Sequence, residues 1–278
     1  MNLTESELKI FLSEFVEYYS KAREQIGIPF NTENFTELLK NIKIEILDMK
    51  DTTGTFQVSQ KQNFFKVIEK NFINNGNARN IFLLLHEFTH LDSKFNANLP
   101  STTEDLKKYE NYGSIQKNPD LSSMDVYWGL IAIDEVLAQW CAEKCDKASK
   151  NETTNKSRKE KHSILGTEVE VETSFSDHDI YAPLEQFVDS FAKKIGYRDM
   201  EEFAKSNITG TDLLYNKITN DNVEMLGYIG ILCEGIYQEN GFSNCGLPAS
   251  DIPKALTYLN HIRKNDFPDA PSGSGSDR

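Results

Sequence analysis

Residues Ile81-Phe82-Leu83-Leu84-Leu85 run straight into His86-Glu87-Phe88-Thr89-His90. Five consecutive apolar side chains cover every face of a helix, so a helix here has to be deeply buried. Asn77 is one of several residues able to cap its start, and it should end before Pro100. Two imidazoles and a carboxylate then go inside with it, and such groups are costly to bury without partners. At about 100° per residue, His86 and His90 lie roughly 40° apart, one turn along the axis. Both rings can therefore reach one metal ion. Glu87 points about 100° away from His86, where it reaches a water beside that ion without being a ligand. Two histidines and a nearby carboxylate base suit metal-assisted hydrolysis. With 5 His in 278 residues and Glu at about one position in ten, H-E-x-x-H arises by chance on the order of 0.01 times in such a chain. The alternative reading is a pair of core histidines with ordinary hydrogen bonds.

The rest of the chain punctuates itself. Thr4 and Glu7 form a capping-box pattern ahead of Leu8, Phe11, Leu12, Phe15 and Tyr19, and Gly27 and Pro29 close that helix. Ile42, Ile44 and Ile46 alternate with polar residues, Asp51 to Gly54 form a polar turn, and Thr55 to Val58 resume the alternation. A β-hairpin over residues 41–60 is expected. Residues 97–122 are polar and read as a long loop. Ser122 or Ser123 should cap a helix running to about Cys145. The lysine-rich stretch 146–163 reads as a solvated connection, and Glu168 to Glu172 alternate like an exposed strand. Pro183 and Gly196 bracket one further helix, Val223 to Tyr237 form another, and Asp251 caps a last one ending near Lys264. The implied organisation is an N-terminal part (1–145), a polar connection (146–175), and a helical C-terminal part (176–266) completing the same unit. Residues 267–278 form a flexible tail.

With 43 acidic against 30 basic side chains the formal net charge is -13. Phosphate backbones and anionic membrane surfaces repel such a chain, so neither nucleic acid nor membrane is an expected partner. The N-terminus lacks the basic and apolar regions of a secretory signal, and no apolar run reaches the roughly 18 to 20 residues of a membrane span. The expected compartment is the cytoplasm. Cys141, Cys145, Cys233 and Cys245 are too few for a disulfide scaffold and include no C-x-x-C pair, so reduced, partly buried thiols are expected.

H-E-F-T-H on a buried helix behind a short hairpin resembles the active-site helix of the zincin metallopeptidases. The metzincin pattern would place Gly three and His six residues after His90. Ser93 and Asn96 stand there, which excludes that subclass. The gluzincin pattern draws a Glu from a later helix. Glu135 lies 45 residues beyond His90 in Ala132-Ile133-Asp134-Glu135-Val136-Leu137-Ala138, and its spacing to Ala138 is similar to that helix. Asp134 is the competing ligand or, like Asp92, a candidate for orienting a histidine. The resemblance covers about residues 40 to 145. It implies an α+β, zincin-like fold, with a small sheet or hairpin over the H-E-x-x-H helix and a mainly helical C-terminal part. It further implies one Zn2+ per chain on His86, His90 and Glu135, with Glu87 as general base, and hydrolysis of a peptide or protein substrate. The donor for the developing oxyanion is expected from the C-terminal part, with Tyr181 and His178 as candidates and Tyr228 as another. A zinc-dependent amidase or deformylase-like hydrolase of a small substrate, or a zincin-fold binding protein with little turnover, would use the same residues. Manganese, cobalt or iron also suits two histidines and a carboxylate.

Overall fold

Helix caps set much of the architecture in the computed structural model, which describes residues 3–48, 55–59, 62–74, 77–150, 158–173, 180–243 and 245–266. The Thr4 hydroxyl accepts from the Glu7 backbone N–H, and the Glu7 carboxylate accepts from the Thr4 backbone N–H. This capping box opens helix α1 (Glu5–Gln25). Asn31 caps α2 (Thr32–Asn41). Then come strands β1 (Lys43–Leu47), β2 (Phe56–Ser59) and β3 (Phe64–Ile68), a short helix α3 (Glu69–Asn74), and α4 (Asn77–Asp92), which carries H-E-x-x-H.

The expected hairpin over 41–60 does not form. β1 pairs with β3 in parallel, Ile44 opposite Phe65. β2 pairs with β3 antiparallel, Val58 opposite Phe65, so the sheet order is β1-β3-β2. Alternation in β1 and β2 marks half-buried edge strands but not their partner. The partner is Phe64–Ile68, where Phe65, Val67 and Ile68 are fully buried, as suits a central strand.

The expected loop over 97–122 is largely helical. It follows the short α5 (Lys94–Ala97) and holds α6 (Thr103–Glu110) and α7 (Gly113–Lys117). Thr102 and Asp105 form a capping box at α6, and Tyr109, Ile115 and Leu121 are buried against the core. Each helix is so short that its few inward residues escape a test for periodicity. Ser122 caps α8 (Ser123–Ser149), which runs one turn past the expected end. The presumed connection therefore begins inside α8 and continues as a hairpin of β4 (Arg158–Ile164) and β5 (Thr167–Thr173). Ile164, Val169 and Val171 are buried, which ties the hairpin to the core. Helices α9 (Ala182–Lys194), α10 (Met200–Thr209), α11 (Val223–Glu239) and α12 (Asp251–Asp266) complete the chain. The fold is α+β, mainly helical, with sheets of three and two strands among the described residues. No helix among them is long and apolar enough to cross a membrane. Cys141, Cys145 and Cys233 are buried free thiols and Cys245 is exposed.

One contact sets the position of the C-terminal part. Helices α8 and α11 touch backbone to backbone at Gly129 and Gly230. A Cβ on Gly230 would overlap the Asp125 carbonyl, and one on Gly129 would overlap the carbonyl of Leu226. Helix propensity alone favours Ala over Gly by about 1 kcal/mol. Here the clash should win, because overpacking a close contact costs about 1–3 kcal/mol or more. Gly230→Ala is therefore expected to lower Tm by roughly 3–10 °C in a thermal melt. An unchanged or raised Tm would mean that the two backbones do not meet there.

Candidate metal centre

Helix α4 is fixed from behind. Phe88, fully buried, packs edge-on against Phe15 at 5.1 Å and against Tyr19 at 5.6 Å, and lies tilted 5.0 Å from Phe35. Phe88 is two residues from both His86 and His90, so it points to the opposite side of the helix from them. Anchoring Phe88 thus aims the histidines towards α8. Replacing such an aromatic by Ala typically costs about 3–5 kcal/mol.

A buried charge pins the end of the same helix. Arg23, fully buried on α1, pairs with Asp92 at 2.8 Å, donates to the Tyr19 hydroxyl, and donates to the Pro29 carbonyl at 3.2 Å. The Tyr19 hydroxyl meets that of Thr89 at 3.2 Å, and Thr89 donates back to the Leu85 carbonyl at 2.8 Å. Asp92 therefore does not orient a histidine. Two residues past His90 it lies about 200° round the helix, on the Arg23 side.

On the α8 side three donor atoms converge. His86 Nε2 is 2.9 Å from His90 Nε2 and 3.1 Å from Glu135 Oε2, and His90 Nε2 is 3.5 Å from the same oxygen. Asp134 takes a different part. Its Oδ2 lies 2.8 Å from His90 Nδ1 and 2.6 Å from the Asn96 side-chain nitrogen, which donates to it. A carboxylate accepts, so this bond places the Nδ1 proton of His90 and leaves its Nε2 to face the centre. The residue at the metzincin third-ligand position, Asn96, thus holds the carboxylate that orients His90. Tyr237 is a site residue that sequence reasoning missed. Its hydroxyl donates to Glu135 Oε1 at 2.7 Å. No motif marks it, because it sits 102 residues from Glu135 at the end of an apolar helix. Its neighbour Tyr181 caps α9, with its hydroxyl 3.4 Å from that of Tyr237. Tyr228 is elsewhere, hydrogen-bonded to Asn118. His178 lies outside the described residues.

The electrostatics call for a positive charge at the centre. Burial alone would lower the His90 pKa, but the Asp134 and Glu135 carboxylates hold it well above the ordinary imidazole value. Burial works against ionising Glu135, yet His90 and His86 keep it far below the usual carboxylate range. Burial pushes the Glu87 carboxyl up, against the pull of His86 and His90. Glu87 is half-buried and is not a ligand-distance partner of the other three.

His86, His90 and Glu135 form a group that could hold a metal ion. The donor set fits zinc. Tetrahedral bonds of about 2.0–2.1 Å put donor atoms about 3.3–3.4 Å apart. The observed edges of 2.9, 3.1 and 3.5 Å bracket that separation. Three lone-pair donors so close repel one another unless a proton or a cation lies between them. The chain matches no protein-family model, no curated protein and no solved structure. The site is therefore the whole basis of a functional reading.

Protein purified without added metal should carry about one zinc per chain by mass spectrometry, and His90→Ala should lose it. Glu135→Ala should lower affinity more than Asp134→Ala, for which a loss of about 10–100-fold is expected. The reverse order would make Asp134 the ligand. A cation must displace the His90 proton, so affinity should rise with pH by about tenfold per unit for one proton released. Calorimetry in buffers of different ionisation enthalpy counts that proton; a count of zero would contradict the raised His90 pKa.

Proposed function

We propose that the chain is a zinc-dependent hydrolase of peptide bonds, a gluzincin-like metallopeptidase with a zincin-like arrangement of helix and sheet. The observation that carries this reading is the convergence of His86 Nε2, His90 Nε2 and Glu135 Oε2 with Glu87 one residue from the first of them. A purely structural histidine pair needs one partner for each ring nitrogen. Turning two imidazole nitrogens and a carboxylate oxygen towards one point, with a second carboxylate beside them on the same helix, is the arrangement a metal ion and its water need.

Bound zinc supplies a Lewis acid that makes water nucleophilic near neutral pH and polarises the scissile carbonyl. Glu87 accepts a proton from the attacking water and passes it to the leaving amine. A carboxyl pKa raised towards the working pH suits a group that must first take a proton and then give it back. Asp134 holds the His90 ring in one orientation. Tyr181, whose hydroxyl lies 3.4 Å from that of Tyr237 beside Glu135, is the proposed donor to the developing oxyanion.

Glu87→Gln should retain the metal and lower turnover of a peptide library by about 10²–10⁴-fold. A chelator should abolish cleavage and added zinc restore it. Full activity in Glu87→Gln would remove the base assignment. A zinc-loaded wild-type protein that cuts no peptide would sink the peptidase reading.

A further inference from the structure

The two oxygens of Glu135 have different partners. Oε2 faces the histidines at 3.1 and 3.5 Å, while Oε1 turns away and accepts the Tyr237 hydroxyl at 2.7 Å. The tyrosine comes from α11, and its ring sits among Trp128 at 5.0 Å, Phe242 at 5.7 Å and Tyr181 at 6.0 Å. Trp128 precedes Glu135 by seven residues, and Gly230 precedes Tyr237 by seven. Seven residues are two helical turns, so each pair shares a face. The backbone contact that admits only glycine at 129 and 230 therefore also sets how far the Tyr237 hydroxyl reaches across to α8.

We infer that Tyr237 is a positioning residue for the metal centre: it occupies Oε1 of Glu135 and so makes that carboxylate a one-oxygen ligand through Oε2. This rests on the proposed metal site. A free glutamate side chain has three rotatable bonds and two equivalent oxygens. Fixing one oxygen on a packed phenol removes most of that freedom before a cation arrives, and such preorganisation raises affinity without a new bond to the ion. The contact is also a bond to an ionised acceptor, stronger than one between neutral groups. Tyr237 then contributes to metal affinity and coordination, whereas an oxyanion donor would contribute to turnover alone.

The test is zinc affinity by competition with a chromogenic chelator at fixed pH, for wild type, Tyr237→Phe and Tyr181→Phe. Phenylalanine keeps the ring among its aromatic neighbours, and melting curves of the metal-free proteins check that each variant folds. Tyr237→Phe should bind zinc about 10–100-fold more weakly, while Tyr181→Phe, one hydroxyl further out, stays within about threefold. As a second readout, the visible spectrum of the cobalt(II)-loaded protein should change in Tyr237→Phe, because the freed Oε1 can then approach the ion, and should not change in Tyr181→Phe. Unchanged affinity and spectrum in Tyr237→Phe would overturn the inference while leaving the metal site intact. Equal losses in both variants would overturn it as well, pointing to repacking. No zinc uptake by the wild type would overturn the metal site and this role together.

Discussion

The close approach of His86, His90 and Glu135 is the constraint that the rest of the structure serves. Two imidazole nitrogens and a carboxylate oxygen within about 3–3.5 Å crowd their lone pairs together and need a shared proton or a cation between them. In the metal-free chain the Asp134 and Glu135 carboxylates favour a proton on His90, against the cost of burial. A divalent cation satisfies the same demand more fully, because it replaces one shared proton with bonds to all three donors. The elements around the centre hold donors in place that would otherwise spread apart. Phe88 fixes the rotation of α4, Arg23 fixes its end through Asp92, and the glycine contact fixes α11 against α8.

Arg23 shows how much is invested in that placement. Its guanidinium is fully buried, and burial of a cation is unfavourable by several kcal/mol unless it is paired. The carboxylate of Asp92 and the Tyr19 phenol supply partners, but the Arg23 Nε has none among the described residues. Well-packed apolar side chains in place of such a buried pair are often no less stable. What the arginine adds is direction: its bonds run to α1, to the chain after it and to the last turn of α4, so they hold a helix in register where an apolar contact would let it slide.

The parts of this design legible in the sequence were those that depend on local spacing. H-E-x-x-H is five residues of helix, and its geometry follows from the helical repeat. Thr4 and Ser122 caps, the Pro183 start and the period-2 runs of β1 and β5 likewise need only neighbours in the chain. Glu135 was found through a resemblance in spacing, supported by the cost of an ionised side chain on an apolar helix. What local spacing does not encode is which strand pairs with which. The hairpin of 41–60 failed because β1 and β2 both pair with β3 and not with each other. The same limit hid Tyr237. A tyrosine closing an apolar helix reads as an ordinary core boundary until α11 is packed against α8.

That packing gives the C-terminal part a chemical as well as a mechanical place. Glu135 is held on one oxygen by a residue from α11, His90 is oriented by a residue from α8, and both histidines ride on α4, which α1 pins from behind. The centre is thus assembled from segments spread over most of the chain, and none of them presents it alone. A cation that binds only the assembled form stabilises the whole fold by mass action, by about 2.7 kcal/mol at a hundredfold excess over Kd. Metal affinity and folding stability are then linked quantities, and any change that loosens α11 from α8 should weaken both. The backbone contact at Gly129 and Gly230 would then belong, in that thermodynamic sense, to the candidate metal centre.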